Sequence, residues 1–234
     1  MAPKKISRKE LLKEPDEFLS TSQQVLDYVR TNPRTVTAIA AVVVVGVIVG
    51  LLGYAYMQYH KQQGHELFLK AYAQYRAATL AESAEKEQWE KLFKTFDDLA
   101  KEYRSTLPGE LSLLYSGHVL YRMQDYQGAL ERYTSMKSTK LVDEGLGGMV
   151  IYHMAMTRMA LKDFDAAASL FDQLAKDTNS PYRREAATAI AAIYEEMGKK
   201  KEAIQAYRQY LKMFPQAPDA PYVRARIAQL STQG

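Results

Sequence analysis

Four histidines, His60, His65, His118 and His153, have the widest chemical reach in this chain, since a neutral imidazole can ligate a metal or move a proton near neutral pH. Their spacing argues against both uses. None belongs to an H-E-x-x-H run, which would set two imidazoles on one helix face beside a general base. His60 and His65 follow the end of a long apolar run. His118 and His153 fall on successive helical repeats, where they could approach each other, but no carboxylate is evident as a partner. The chain has no cysteine, which removes disulfides, thiolate zinc sites and a cysteine nucleophile together. Gly145-Leu-Gly-Gly148 has the glycines of a phosphate loop but neither a preceding strand nor the lysine, so it reads as a connector. The expectation is a protein that is not an enzyme, with no catalytic, metal or cofactor site.

The elements that would position such residues begin with composition. At 234 residues there is room for one ordinary domain plus appendages. Apolar residues make up 47% and charged residues 25%, a balance that folds around a core. The formal charge of +4 is shared evenly, with +2 on residues 1–34, where seven Lys and Arg oppose five Asp and Glu, and +2 on the remainder. No basic face points to nucleic acid.

Between Thr35 and Tyr59 no side chain other than tyrosine is ionisable. Val36 to Tyr56 would form a helix of about 31 Å at ~1.5 Å per residue, matching the ~30 Å hydrocarbon layer of a membrane. Eleven of these residues are Val, Ile or Leu. Together they favour insertion by about 3 to 6 kcal/mol. A cleaved secretion signal has an apolar core of about 7 to 15 residues and a short basic leader. Here the core is longer and follows 34 residues of leader, although Gly53-x-Ala55 is a small-x-small pair that a signal peptidase could read. A retained anchor over residues 35–57 is expected, in preference to a cleaved signal or a buried core helix. Lys4, Lys5, Arg8, Lys9, Lys13, Arg30 and Arg34 precede it, and only Lys61 and Lys70 follow closely, which places the N-terminus in the cytoplasm. Tyr54, Tyr56 and Tyr59 suit the headgroup level at the exit. Gly46, Gly50 and Gly53 share one helix face, where another membrane helix, or a second copy of this one in a homodimer, could approach closely. The bland alternative is that glycine is simply common in membrane helices.

Residues 1–34 read as a tail of short amphipathic helices. Ser7-x-x-Glu10 before Leu11-Leu12 has the form of a capping box, and Pro15 suits the first turn of a second helix. Phe18, Leu19, Val25, Leu26 and Val29 form a stripe that ends at Asn32-Pro33. The stripe could lie in the membrane interface or dock on a cytoplasmic partner, or the tail could serve topology alone.

Residues 58–234 repeat themselves. GHVLYRMQDYQGALERYTSM from Gly117, AMTRMALKDFDAAASLFDQL from Ala155 and AAIYEEMGKKKEAIQAYRQY from Ala191 align without gaps. Each has a small residue first (Gly117, Ala155, Ala191), then an alanine (Ala129, Ala167, Ala203), then an aromatic (Tyr133, Phe171, Tyr207). Small residues let two helices pack closely while a ring fills the gap beside them. A more divergent hairpin precedes, with Leu67, Phe68, Ala71, Tyr72 and Tyr75 on one helix and Trp89, Phe93, Phe96 and Leu99 on the next. Asp219 and Pro221 open a last helix striped by Val223, Ile227 and Leu230, the expected cap. The fold class is therefore all-α, without strands.

This spacing resembles the tetratricopeptide repeat, a ~34-residue helical hairpin. The resemblance implies an α-solenoid. Its proline is matched only at Pro215 and its first-helix tyrosine only at Tyr194, and the longer repeats place extra residues in turns such as 140–148. With the span added, the run YVRTNPRTVTAIAAVVVVGVIVGLLGYAYMQYHKQQGHELFLKAYAQYRAA, from Tyr28 to Ala78, resembles the bacterial family of ancillary Sec-translocon subunits. That family implies an inner-membrane adaptor with a periplasmic domain. Its implied partners are Sec translocon subunits, a membrane-anchored periplasmic isomerase-type chaperone and unfolded exported clients. The tail here is longer than the family's; a scaffold subunit of another envelope assembly, for wall synthesis or surface-structure export, would share this fold and topology and is the alternative.

The tetratricopeptide resemblance also implies a groove. Its positions fall on Leu111, Leu114, His118, Tyr121 and Arg122 in the first repeat and on Met149, Tyr152, Met156 and Met159 in the second. The third contributes Glu185, Thr188, Ala192 and Glu195. Of these, His118, Tyr121, Arg122, Met149, Tyr152, Met156 and Met159 form the aromatic, methionine-rich centre, suited to adaptable apolar contacts. The lysines and asparagines of the carboxylate-clamp variety are absent, which speaks against acidic C-terminal peptides. The same residues could instead be packed core.

Overall fold

The computed structural model describes residues 17–81 and 85–232. The Ser7-x-x-Glu10 capping box and Pro15 lie outside them. Among the described residues there are ten α-helices and no strand. The chain divides into two compact units, Met1–Gln58 and Tyr59–Gly234.

In the first unit α1 spans Glu17–Thr31 and α2 begins at Pro33. Proline has no N–H to lose at the first position of a helix, so it starts α2 where it would break the interior of α1. Thr31 closes α1 by donating its hydroxyl to the Asp27 carbonyl at 2.7 Å. Val25, Leu26 and Val29 of the tail stripe are all exposed. Helix α2, Pro33–Leu80, contains one window with a mean hydropathy of 2.8, none of it buried. By length and composition this helix can cross a membrane. A Cβ placed on Gly46, Gly50 or Gly53 would meet nothing within 4 Å, so this face is open to another helix.

The second unit is built of antiparallel hairpins. The last turns of α2 pair with α3 (Lys86–Glu102), then α4 (Leu107–Arg122) with α5 (Tyr126–Met136), α6 (Gly147–Ala160) with α7 (Phe164–Lys176), and α8 (Arg183–Glu196) with α9 (Lys200–Met213). Helix α10, Ala220–Thr232, closes the array. Apolar residues at helical spacing bury one stripe per helix, in three adjoining clusters centred on Phe96, on Tyr133 and Met136, and on Phe171 and Tyr210.

The repeat signature is the inner surface of this array. Ala155, Ala191, Ala129, Ala167 and Ala203 are fully buried, and so is Phe171; Tyr133 and Tyr207 are buried with them. At Gly117 the helices come so close that a Cβ would stand 2.7 Å from the Tyr133 ring. The turns of the three later hairpins follow one backbone plan. Asp125, Asp163 and Lys199 donate their N–H groups five residues back, to Leu120, Arg158 and Tyr194. That bond needs a left-handed residue in front of it, supplied by Gln124, Lys162 and Gly198. Asp125 and Asp163 then cap the second helices, accepting from the Gly128 and Ala166 N–H groups at 3.0 and 3.4 Å.

Polar ties join neighbouring hairpins where apolar stripes cannot. Buried Glu110 accepts from the Leu141 N–H at 3.0 Å and fixes the 140–148 connector, in which Gly145 takes φ 116°. Asp97 pairs with Arg132 across to α5 at 2.9 Å. Glu195 of α8 accepts from the Tyr207 hydroxyl of α9 at 2.6 Å and forms an ion pair with Arg226 of α10.

Phe171→Ala should remove about 3 to 5 kcal/mol of stability, because the site is enclosed by helices that can collapse only in part. A urea titration followed by circular dichroism checks this. Tyr222→Ala, at a ring 70% exposed, should shift the same transition by no more than about 0.5 kcal/mol.

Candidate functional site

First helices of adjacent repeats stand side by side because each buries one stripe against its own second helix, which leaves a second stripe facing along the array. Between α4 and α6 these facing stripes enclose a cavity of about 310 Å³. Helix α4 contributes His118, Tyr121 and Arg122, spaced so that all three share one face, and α6 contributes Tyr152, His153 and Met156. Tyr133 of α5 forms the back, and Tyr75 of α2 closes one side.

The walls are rings in mutual contact. His118 and His153 stand 4.4 Å apart between centroids, and the His153 ring stacks on Tyr133 at 5.4 Å with 22° between planes. His118 meets Tyr115 edge-on at 5.3 Å and Tyr133 at 5.8 Å. Tyr152 is held by a stack on Tyr182 at 4.7 Å and an edge contact with Phe171 at 5.9 Å. The guanidinium of Arg122 lies over the Trp89 ring at 5.9 Å, and Tyr75 meets the same ring edge-on at 6.0 Å. Such cation–π and edge contacts hold the rim in place at little entropic cost.

Burial decides the charge of the site. It pushes His118 down to about 3, with the neighbouring His153 ring adding to the shift, and pushes His153 down to about 4. Burial raises the Tyr133 phenol, and burial with Tyr126 and Tyr152 raises that of Tyr121. At neutral pH both imidazoles are therefore uncharged and the Tyr121 and Tyr133 phenols protonated. Among the described residues lining the cavity, Arg122 carries the one formal charge. The Nε2 atom of His118 is buried without a hydrogen-bond partner. No carboxylate lines the cavity to orient an imidazole as a base, and among the described residues no three of His, Asp and Glu are grouped to hold a metal ion.

The groove positions are thus distributed unevenly. His118, Tyr121, Arg122, Tyr152 and Met156 come together at the cavity, whereas Met149 packs into the cluster around Tyr133 and Met159 into the cluster around Phe171. Leu114 is buried core. In the third repeat Glu185 pairs with Arg184, and Glu195 is taken by Arg226, because α10 covers the side where another first helix would stand. Tyr75, Tyr133 and His153 line the cavity without being among the groove positions. Tyr133 and Tyr75 carry core signatures in sequence, and only the pairing of His118 with His153 on successive repeats hinted at the third.

Both histidines are depressed in the folded state, so the unfolded chain binds their protons first. Neither affects stability above about pH 6.5; below it the folded state loses ground as pH falls toward about 4 and then about 3. The double variant His118→Asn with His153→Asn should show a shallower fall in thermal midpoint between pH 6.5 and 4 than the parent chain. Scanning calorimetry at stepped pH measures the difference.

In fold the chain is similar to a tetratricopeptide repeat protein from Parabacteroides merdae, with 16% identity, a TM-score of 0.56 and coverage of 74% of this chain. It spans only 61% of that protein's length. It is also similar to nearly identical TPR-like repeats from Podosopora anserina, with 15% identity, a TM-score of 0.57, and coverage of 74% of this chain and 89% of that one. No curated protein matches the sequence. The sequence itself matches the tetratricopeptide repeat-like domain over residues 32–232, apolar run included, and the chain belongs to that family.

Proposed function

We propose that this chain is a single-pass, membrane-anchored adaptor for protein–protein interaction at the bacterial inner membrane. Residues 1–34 form its cytoplasmic tail, 35–57 its membrane helix and 58–234 its periplasmic helical domain. The interaction role is carried by one observation: a repeat fold typical of interaction scaffolds presents an aromatic cavity with neither a base–carboxylate pair nor a grouped metal-ligand set among its described residues. The anchor reading is supported by the apolar helix and by the excess of Lys and Arg before it. Its inclusion in the family match supports a span and a repeat array that work as one protein.

Within that role, association with Sec translocon subunits and a periplasmic isomerase-type chaperone, in handling exported clients, follows from the resemblance of the Tyr28 to Ala78 run to ancillary translocon subunits. The open face of Gly46, Gly50 and Gly53 is the contact for a translocon helix or for a second copy of the chain.

Affinity purification of the detergent-extracted chain tests the reading. Translocon subunits or the chaperone should co-purify, and the triple substitution Gly46→Leu, Gly50→Leu, Gly53→Leu should reduce translocon recovery at least about tenfold while carbonate-resistant insertion stays intact. Recovery of wall-synthesis or surface-export components in their place would replace this reading with an envelope scaffold. A crosslinked dimer lost on the triple substitution, with translocon recovery unchanged, would assign the glycine face to self-association.

A further inference from the structure

The cavity between α4 and α6 has a chemistry more particular than an apolar groove. A cavity of ~150 Å³ lined by apolar side chains is large enough to hold benzene. This one, at about 310 Å³, has room for a larger ring and the start of the chain that carries it. Its walls are the faces and edges of aromatic rings, which prefer another ring at ~4.5 to 7 Å over an aliphatic side chain of similar volume. They are also pre-formed: Tyr152 is fixed by its stack on Tyr182 and Arg122 by its position over Trp89, so an occupant need not pay to order them.

Two polar features then narrow the occupant. Buried polar atoms are normally paired, and His118 Nε2 is not. A neutral imidazole accepts at one nitrogen only; in the tautomer with the proton on Nδ1, Nε2 is that acceptor and suits a ligand that brings an N–H or O–H into the cavity. At the rim, the guanidinium of Arg122 offers donors to the carbonyl groups of a backbone passing over the opening. A lone apolar side chain would leave His118 unsatisfied, and a carboxylate would have to enter a pocket of rings and neutral imidazoles.

We propose that this cavity receives a single aromatic side chain bearing a donor, a tyrosine phenol or a tryptophan indole, from an extended segment of a partner protein, and that His118 Nε2 accepts from that donor. The assignment rests on the adaptor reading in taking protein segments as ligands, and it deepens that reading by naming what is recognised. Tyrosine and tryptophan are the side chains that supply a rigid ring and a polar tip together, and they dominate interface anchoring elsewhere for that reason.

The test is fluorescence anisotropy of the full, detergent-solubilised chain with fluorescein-labelled Ala-Ala-X-Ala-Ala peptides, X being Trp, Tyr, Phe or Leu. One hydrogen bond is worth a factor of about 2 to 12 in affinity, so the Trp and Tyr peptides should bind that much more tightly than the Phe peptide, with Leu weakest. In His118→Phe the preference for the Trp and Tyr peptides over the Phe peptide should vanish. Met156→Trp fills the cavity from its own wall and should abolish binding of all four peptides, a readout that does not depend on His118→Phe folding. Equal binding of the Phe and Tyr peptides, a preference that survives His118→Phe, or binding unaffected by Met156→Trp would each overturn the assignment. The peptides contain no translocon component. Loss of the preference with translocon partners still recovered therefore sinks the cavity assignment alone, and a preference retained without those partners sinks the translocon association alone.

Discussion

The Tyr133 ring lies too near Gly117 to admit a β-carbon there, and that close approach sets the distance between the two helices of its hairpin. Ala155 and Ala191 take the same place in the next two repeats, buried with Phe171 and Tyr207. A small residue on one helix and a ring on the other is a steric fit, so it tolerates neither a larger residue at the first position nor a smaller one at the second. The rest of the array inherits its geometry from this pairing. Once the hairpin spacing is fixed, the alanines Ala129, Ala167 and Ala203 are sealed inside, and the first helices must meet along their remaining faces.

That lateral meeting of first helices produces the cavity. Within a hairpin the small, alanine and aromatic positions are buried against each other, but between hairpins the fill depends on which side chains the two repeats happen to offer. Around His118 and His153 they offer rings, which pack with gaps at their edges, and the gap is the cavity. At the far end of the array the same kind of face is closed by Arg226 of α10 reaching Glu195 and by the Tyr207 hydroxyl. A repeat array has ends, and the terminal face has to be made compatible with water. Here an ion pair and a phenol do so, which confines the aromatic cavity to the middle of the domain.

The two histidines illustrate how environment overrides the chemistry suggested by residue type. An imidazole in water titrates near neutrality, but burial among rings holds His118 and His153 uncharged far below it. Their closeness, which in another setting would suggest a metal pair or a proton relay, comes, among the described residues, without a third grouped metal ligand and without a carboxylate in the cavity lining. What remains is a neutral imidazole, its Nε2 unpaired, inside an aromatic wall.

Sequence alone determined the elements whose cause is local. The apolar run from Val36 to Tyr56, the break at Asn32-Pro33, the three hairpins with their small, alanine and aromatic positions, and the closing helix after Asp219 all follow from periodicity, backbone restriction and side-chain size, which are properties of neighbouring residues. The left-handed turn residues were half legible, since Gly198 announces itself while Gln124 and Lys162 do not. Tertiary structure alone decided which side chains share a space. Tyr75 and Tyr133 carry the marks of core residues and yet line the cavity, Met149 and Met159 sit at groove positions and yet lie outside its lining, half-buried against the core clusters, and Glu195 is claimed by an arginine thirty-one residues away. The difference is physical: helix periodicity fixes which way a side chain points along its own axis, but burial depends on the neighbouring repeat, whose residues are distant in the chain.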